Sequence, residues 1–304
     1  MTTTDKIMLT DQVAIVTGGG GGIGQGIALA LAEHGANVVI ADIEPARCED
    51  TAAKIRAMGR KALGIPTDVM ESDQIRAMVE ATDKAFGRID ILINNAGGVS
   101  GRHFLEQSER SWRRHVEINL ISMFVATGAA APIMIRGGRG GSIINVSSIE
   151  GSRAAPSFAV YAACKAGMLN FARTMALELS QHRIRVNCIS PDHTITPGNH
   201  GNRTGPVDES KWIQRTPAQT DAYNRLIPLG YEGDISECGD VAVFLCSQMA
   251  RYVTGVNMPV DGGTWASSGW VRGTDGAWTL NEGLQFGAGE GAALSTPVHG
   301  QRGG

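Results

Sequence analysis

The residues best suited to chemistry are a tyrosine and a lysine four positions apart, Tyr161 and Lys165. In the helical segment expected there, this spacing places both side chains on one face. A phenol with a pKa near ~10 is a poor base, and lowering that pKa to ~7 requires about 4 kcal/mol. A cation about 4 Å away, at an effective dielectric of ~20, supplies roughly this much. The pair indicates proton exchange by Tyr161, although such spacing also arises by chance on many helices.

Two further motifs follow apolar segments that read as strands. Ser148 comes thirteen residues before Tyr161, and Asn94-Asn95-Ala96-Gly97 follows an earlier strand. Ligands of open α/β sheets bind at the carboxyl ends of the strands. At that edge the Ser148 hydroxyl is able to hold a carbonyl or alcohol oxygen. The small residues of the second motif let a flat ring or a ribose approach the backbone.

A glycine-rich segment, Val13 to Gly24, runs from a predicted strand into a predicted helix. Its glycines allow a tight turn and a close approach of a pyrophosphate to the helix N-terminus. Low-complexity glycine repetition is the alternative interpretation. A P-loop is excluded, because Gln25 rather than lysine follows Gly24.

An aspartate at the end of the second predicted strand, Asp42, lies 24 residues after Gly18. A carboxylate at this place accepts hydrogen bonds from the adenosine ribose hydroxyls and repels a 2′-phosphate. Gly21 and Ile43 stand where a phosphate-binding base would be expected. The sequence therefore favours NAD over NADP, with an ordinary turn aspartate as the alternative.

Short apolar runs alternate with longer helical patterns, which is typical of a parallel α/β sheet with right-handed crossovers. The runs are apolar almost throughout, as expected for strands buried on both faces. Seven strands are predicted, at Val13–Thr17, Asn37–Ala41, Lys61–Pro66, Ile89–Asn94, Gly141–Val146, Ile184–Ile189 and Val256–Pro259. Helices are predicted at Ile23–His34, Pro45–Met58, Ser72–Phe86, around Trp112–Arg136, Pro156–His182 and Asp234–Gln248.

Two regions interrupt this alternation. Residues 192–232 are rich in Pro, Gly, Asn and Thr and are predicted to form a long functional loop. The tail after Gly263 is rich in glycine, yet it holds three of the five tryptophans. Disordered tails rarely carry such aromatics. We therefore expect one catalytic domain over 1–263, including the loop, and a partly ordered C-terminal extension over 264–304.

The bulk composition narrows the function classes. The 304-residue chain is 42% hydrophobic and 19% charged, with a net charge of −3 and five scattered cysteines. No run of basic residues suggests nucleic acid, and no cysteine pair has metal-ligand spacing. No signal peptide is evident, and no apolar stretch reaches the ~20 residues that span a bilayer. These features predict a cytoplasmic protein with free thiols that binds neither metal, membrane nor nucleic acid.

Together these motifs resemble the short-chain dehydrogenase/reductase family over roughly Asp11 to Gly263. The matching residues, in chain order, are Thr17-Gly18-x-x-x-Gly22-Ile23-Gly24, Asp68-Val69, Asn94 to Gly97, Asn119 in Glu-Ile-Asn-Leu, Ser148, Tyr161-x-x-x-Lys165 and Val260-Asp261-Gly262-Gly263. The resemblance implies a Rossmann-type, doubly wound sheet and a homo-oligomer, with a tetramer expected.

The resemblance also implies roles for these residues. Tyr161 exchanges a proton with the substrate oxygen, Ser148 orients that oxygen, Lys165 binds the nicotinamide ribose and Asn119 holds a water in a proton relay. The implied reaction interconverts a secondary alcohol and a ketone with NAD. A non-catalytic NAD-binding regulator, or an epimerase or dehydratase on the same fold, stays open. The implied cofactor-binding residues are Gly18, Gly22, Ile23, Gly24, Asp42, Ile43, Asp68, Val69, Asn95, Ala96, Gly97, Tyr161, Lys165, Pro191, Thr194 and Thr196.

One position departs from the family pattern. Pro191 is followed by Asp192, where the family usually has glycine. An aspartate there alters the backbone or projects toward the substrate, so the roles of Asp192 and His193 do not carry over. Glu150, Arg153 and His193 hint at polar groups on the substrate. Trp212 and Tyr223 fit either a lid or ordinary packing.

Overall fold

Seven short strands form the central sheet of the computed structural model, which describes residues 2–281 and 284–285. They are β1 Val13–Thr17, β2 Asn37–Asp42, β3 Ala62–Pro66, β4 Ile91–Asn94, β5 Gly141–Val146, β6 Ile184–Pro191 and β7 Asn257–Val260. All neighbours are parallel, in the order β3-β2-β1-β4-β5-β6-β7. This confirms the predicted Rossmann-type sheet, in which the chain reverses its direction of winding between β1 and β4.

Helices cover both faces of the sheet. They are α1 Thr3–Ile7, α2 Gly22–Glu33, α3 Pro45–Ala57, α4 Ser72–Phe86, α5 Glu109–Val116, α6 Ser122–Gly137, α7 Ala159–Glu178, α8 Pro217–Leu226, α9 Ile235–Cys246 and α10 Thr264–Ser267. One apolar cluster joins α2 and α9 to the sheet, and a second joins α4, α6 and α7 to the opposite face. Burial on both faces explains why the inner strands are apolar, whereas the edge strands β3 and β7 are partly exposed.

The longest helix is continuous from residue 109 to 137, because a π turn at Glu117–Ile121 joins α5 to α6. By length and composition alone it could cross a membrane, which the search for unbroken apolar runs in the sequence did not anticipate. Its inner face, including Ala126, Ala130 and Met134, is buried in the core. An apolar core helix accounts for the same composition.

The interpretation of residues 192–232 as a continuous loop is wrong in part, because this segment contains α8 and a short 3₁₀ turn at Glu209–Lys211. Helix α8 begins with a capping box, in which Thr216 and Gln219 satisfy each other's backbone N–H groups, and with Pro217 in its first turn. These start signals were present in the sequence but were hidden by the Pro, Gly and Asn content around them.

The start of the tail is folded. After α10, strands β8 Val271–Arg272, β9 Trp278–Asn281 and β10 Leu284–Gln285 form a small antiparallel sheet. Strand β8 contacts α8, and a cavity of about 500 Å³ lies between them. The rest of the predicted extension, Phe286 and the segment Gly287–Gly304, lies outside the described residues.

The five cysteines are free and buried. Cys164 and Cys188 are 3% and 1% exposed and act as small buried hydrophobes. Within residues 2–281, no group of three or more His, Cys, Asp and Glu side chains is arranged to hold a metal ion.

Candidate active site

The candidate site residues follow the carboxyl ends of five neighbouring strands. In sheet order, Asp42 ends β2, Gly18 follows β1, Asn95 follows β4, Ser148 follows β5 soon after Val146, and Pro191 ends β6. The parallel register places all these ends at one edge of the sheet. This edge, at the reversal of winding between β1 and β4, is where ligands of doubly wound folds bind.

The glycine-rich turn is too tight for side chains. Gly18 has a φ of +64°, and a Cβ on Gly24 would lie 2.2 Å from the Gly18 carbonyl oxygen. The Asn95 amide braces this turn by donating to the carbonyls of Thr17 at 2.9 Å and Gly18 at 3.2 Å. The Asn95 side chain is therefore used inside the protein, where it fixes the shape of the turn.

The first turn of α2 is open toward a ligand. The helix begins at Gly22 after Gly21, and no side chain caps its first N–H groups. Thr196 lies against Gly22, since a Cβ there would be 3.3 Å from the Thr196 Cβ. Ile23 and Gly24 complete this turn. Free N–H groups, a positive helix end and bare glycines fit the pyrophosphate of a dinucleotide.

Asp42 is bound to backbone on both carboxylate oxygens. Oδ2 accepts from the Gly20 N–H at 3.0 Å and Oδ1 from the Glu44 N–H at 3.1 Å. Ile43 beside it is 61% exposed. The carboxylate is thus held in place next to the glycine-rich turn, with lone pairs left for ribose hydroxyls.

The structure also brings a base to Asp42, which the sequence analysis did not anticipate. A Cβ on Gly20 would lie 2.7 Å from Arg47 Cβ and 2.9 Å from Asp42 Cγ. The Arg47 guanidinium donates to the carbonyls of Asn202 at 3.0 Å and of Gly205. Arg47 therefore faces the glycine-rich turn from the first turn of α3 while its charge is engaged by the 196–208 segment.

The Asp68-Val69 pair lies just beyond β3. Asp68 Oδ1 accepts from the Met70 N–H at 2.9 Å, and its own N–H donates to Gln74 at 2.9 Å. Val69 borders a small cavity together with Ala96 and packs against the core. The pair thus fixes the turn into α4 beside the Asn94–Gly97 motif.

Asn119 is buried in the π turn and bound to Gly98 on two sides. Its Oδ1 accepts from the Gly98 N–H at 3.2 Å, and its Nδ2 donates to the Gly98 carbonyl at 2.8 Å and to the His115 carbonyl at 3.0 Å. A Cβ on Gly97 would lie 2.7 Å from Asn119 Oδ1 and 3.7 Å from Lys165 Nζ. The Asn119 side chain therefore holds the backbone after β4 close to Lys165.

Ser148, Tyr161 and Lys165 come together at the end of β5. Tyr161 and Lys165 lie one helical turn apart on α7, and the Ser148 side chain lies close enough to Tyr161 to lower the pKa of its phenol. Lys165 Nζ donates to the Val146 carbonyl at 2.8 Å and lies 5.5 Å from the centroid of the Tyr161 ring. The structure thus gathers the tyrosine, the lysine and the serine that the sequence proposed as a group.

Burial is the largest influence on the pKa values of Tyr161 and Lys165. Burial raises the pKa of Tyr161 to about 12, Ser148 opposes the rise, and the charges of Glu150 and Asp192 add to it. Burial lowers the pKa of Lys165 to about 8. The expected lowering of the Tyr161 pKa by Lys165 is not found in the protein alone, because the ammonium lies beside the ring at 5.5 Å and is itself desolvated.

Known proteins are similar to this chain over most of its length. A family model described as Enoyl-(Acyl carrier protein) reductase matches residues 18–264. Galactitol 2-dehydrogenase of Agrobacterium fabrum is 37% identical over 262 residues, covering 85% of this chain and 99% of that protein.

The chain belongs to the short-chain dehydrogenase/reductase family.

Two solved structures of similar sequence share this fold. A 7α-hydroxysteroid dehydrogenase complexed with NADH and a 7-oxo bile acid has a TM-score of 0.78 and 30% identity, covering 86% of this chain and 98% of that chain. Carveol dehydrogenase from Mycobacterium avium in complex with NAD has a TM-score of 0.77 and 29% identity, covering 85% of this chain and 99% of that chain.

Asp192 stands where the family usually has glycine, and it forms ion pairs with its neighbours. Its Oδ2 lies 3.0 Å from His193 Nε2 and 3.5 Å from Arg153 Nη2, and Arg153 also binds Glu150 at 2.7 Å. His193 Nδ1 lies 2.7 Å from the Tyr223 hydroxyl of α8. These five side chains, called here the Asp192 network, join the end of β6 to α8.

The segment after Pro191 lies over the glycine-rich turn. Thr194 is buried, and its hydroxyl donates to the Asp192 carbonyl at 3.1 Å, so it fixes the local backbone. Thr196 reaches α2, as described above. Of the residues beside the site, sequence reasoning missed Arg47 and left Tyr223 open, because their positions depend on how α3 and α8 pack.

Proposed function

We propose that this protein is an NAD-dependent oxidoreductase that interconverts a secondary alcohol and a ketone, with Tyr161 as the acid/base. The observation that carries the proposal is the placement of Tyr161 against Ser148, at the same sheet edge as an uncapped, glycine-lined helix start. Such an edge supplies one place for a dinucleotide and an adjacent place for a substrate oxygen.

Tyr161 and Ser148 would hold the substrate oxygen between their hydroxyl groups. When bound, the nicotinamide gives or accepts the hydride. In ketone reduction, Tyr161 donates its proton to the developing alkoxide, and a pKa of about 12 keeps that proton in place until then. In alcohol oxidation, Tyr161 must take the proton, so nearby positive charge has to favour the phenolate.

Lys165 would supply part of that positive charge and bind the nicotinamide ribose. One of its donors is used by the Val146 carbonyl, and Nζ lies near Gly97 at the cofactor edge. Asn119 would act through the backbone that it holds at Gly98, beside which a water of the proposed proton relay would bind. These roles are positioning and electrostatic, and the hydride chemistry belongs to the cofactor.

The cofactor would lie along the edge from Asp42 to Lys165. Gly18, Gly22, Ile23, Gly24 and Thr196 would hold the pyrophosphate, and Asp42 and Ile43 the adenosine. NADH or NAD is bound in the two related structures, and the Asp42 carboxylate disfavours a 2′-phosphate. The remaining proposed contacts are Asp68, Val69, Asn95, Ala96, Gly97, Tyr161, Lys165, Pro191 and Thr194.

The proposed organisation is a catalytic domain over 1–263, with the 192–232 segment over the substrate, and an extension over 264–304, in a cytoplasmic homotetramer. The outer faces of α6 and α7 support an oligomer. Phe124 of α6, 37% exposed, packs on Phe171 of α7, and Leu177 is 77% exposed. An apolar helix pair left in water is unfavourable, and a partner subunit would cover it.

A turnover assay separates this function from its alternatives. The protein is incubated with NAD and a panel of secondary alcohols, and the absorbance of reduced nicotinamide is followed. We expect steady formation of NADH with at least one alcohol. A regulator would bind NAD without turnover, and an epimerase or dehydratase would convert its substrate without net NADH. Absence of NADH with every alcohol, and of NADH consumption with the matching ketones, would overturn the proposal.

A further inference from the structure

The Asp192 network holds two carboxylates, Glu150 after β5 and Asp192 after β6, each with one oxygen that takes no part in the ion pairs. Asp192 binds His193 and Arg153 through Oδ2, and Glu150 binds Arg153 through Oε1. Within the part of the chain that the structure describes, Asp192 Oδ1 and Glu150 Oε2 accept no hydrogen bond. The two side chains are only 15% and 21% exposed. Each carboxylate is therefore oriented by its partners and still able to accept from a ligand.

Helix α8 fixes the direction of Asp192. Because a carboxylate accepts at His193 Nε2, that nitrogen carries the proton, and Nδ1 accepts from the Tyr223 hydroxyl. The two rings also meet edge to face at 4.8 Å, and Arg215 stacks on the Tyr223 ring at 3.9 Å while it pairs with Glu232. His193 holds this arrangement with a φ of +41°, a conformation that non-glycine residues rarely adopt.

The network adjoins the proposed catalytic group at Ser148. Both Glu150 and Asp192 raise the pKa of Tyr161 through their charge, and Glu150 is two residues from Ser148, whose hydroxyl accepts from the Glu150 N–H at 3.2 Å. The formal charges of Glu150, Asp192 and Arg153 are −1, −1 and +1, which leaves −1 with His193 neutral.

We propose that the substrate is an uncharged polyhydroxylated alcohol or its ketone, whose hydroxyl next to the reacting carbon donates to Asp192 and whose further hydroxyl donates to Glu150. Hydroxyl groups match the free carboxylate oxygens as donors. A carboxylate on the substrate would meet a net negative charge, and an apolar group would leave both oxygens desolvated and unpaired. The inference rests on the proposed alcohol oxidation and adds the substrate class.

The test compares substrates of matched size. Initial rates with NAD are measured for cyclohexanol, both 1,2-cyclohexanediols and 2-hydroxycyclohexanecarboxylate, and for linear mono-ols, polyols and hydroxy acids of three to six carbons. Losing a hydrogen bond to a charged group corresponds to roughly 10- to 150-fold. We expect the preferred diol or polyol to exceed its matched mono-alcohol and hydroxy acid by at least about tenfold in kcat/KM.

Three variants assign the preference to Asp192. Asp192→Gly restores the family residue and should bring the kcat/KM values of diol and mono-alcohol within about threefold of each other. Asp192→Asn keeps a hydrogen-bond acceptor, so its preference for diol over mono-alcohol should lie between those of the wild type and Asp192→Gly. Asp73→Asn is the matched control, since Asp73 is 99% exposed on α4. Thermal melting checks the fold of each variant.

The outcomes of these measurements distinguish failure of the substrate class, of the role of Asp192 and of the proposed function. Turnover that is equal for mono-alcohol and polyol, or higher for the hydroxy acid, overturns the proposed substrate class while leaving the alcohol dehydrogenase assignment intact. A polyol preference that survives in a folded Asp192→Gly variant overturns the role of Asp192. If no alcohol in the panel reduces NAD and no ketone oxidises NADH, the proposed function itself fails.

Discussion

Lys165 Nζ lies 5.5 Å from the centroid of the Tyr161 ring, and its hydrogen bond at 2.8 Å goes to the Val146 carbonyl instead of the phenol. The ammonium is buried and lies close to Gly97. This placement orients the cation toward the cofactor edge. The proposed chemistry therefore requires the positive charge of the oxidised cofactor, together with Lys165, to lower the pKa of Tyr161 from about 12.

The first prediction concerns the pH dependence of each reaction direction. Alcohol oxidation needs the Tyr161 phenolate, whereas ketone reduction needs the phenol, whose pKa burial raises to about 12 in the protein alone. Oxidation should therefore speed up about tenfold per pH unit until a plateau, and reduction should slow at high pH. The measurement is kcat/KM from roughly pH 6 to 10 at saturating cofactor. An oxidation rate that is flat or falls over this range contradicts the role of Tyr161.

The second prediction separates the effect of Lys165 on protein stability from its effect on turnover. Burial lowers the pKa of Lys165 to about 8, below its unfolded value of about 10.4, so the folded state disfavours the charged side chain. Lys165→Met should abolish turnover and raise the thermal midpoint below pH 8. The unfolded chain binds more protons between these two pKa values, so wild-type stability rises through that window.

The rise in thermal midpoint caused by Lys165→Met should accordingly become smaller above pH 8. Lys165→Ala serves as the comparison, because it removes the charge but leaves a cavity and should not give the same gain. A Met variant that melts below the wild type at neutral pH, with the same pH dependence, contradicts this account of the buried charge.

The third prediction concerns cofactor choice. NAD should be preferred over NADP in the wild type, because the Asp42 carboxylate is fixed by the N–H groups of Gly20 and Glu44. Asp42→Ala should narrow the difference in kcat/KM between NAD and NADP, because it removes the charge that repels a 2′-phosphate. Arg47, which lies against Gly20, would then exchange the Asn202 and Gly205 carbonyls for the phosphate.

The matched test is the double variant Asp42→Ala with Arg47→Met, in which the gain with NADP should disappear. The readout is kcat/KM for both cofactors in all variants. Equal values for NAD and NADP in the wild type would contradict the role of Asp42. If kcat/KM with NADP stays raised in the double variant, Arg47 has no role in the choice of cofactor.

The alternation of apolar strands and helices predicted the sheet because the inner strands are buried on both faces, as the Val13–Thr17 and Gly141–Val146 strands show. The spacing of Tyr161 and Lys165 predicted a shared helix face for the same local reason. Arg47 and the Asp192 network were not predictable in this way. Their contacts join residues more than a hundred positions apart, or depend on α8, whose start signals lay in a loop-like composition.

The fourth prediction concerns the tail. Strand β8 packs beside α8, and Arg272 stacks on the Trp278 ring at 4.6 Å. Deleting residues 265–304 should lower the thermal midpoint and raise KM, because α8 carries Tyr223 of the Asp192 network. Sedimentation of both proteins tests the proposed tetramer. A second truncation, after Gln285, removes only residues outside the described part and serves as the comparison. An unchanged midpoint, oligomeric state and KM after the long deletion would show that the tail has no such role.

Replacing the Tyr161 hydroxyl tests the central claim most directly. Tyr161→Phe keeps the ring and loses the proton, so turnover measured by NADH absorbance should fall at least ~10²-fold, as expected for a lost general acid–base group. NAD binding, followed by titration, should persist, and Tyr252→Phe, at a fully exposed tyrosine, should behave as the wild type. Turnover of Tyr161→Phe within about tenfold of the wild type would contradict the assignment of Tyr161 as the acid/base.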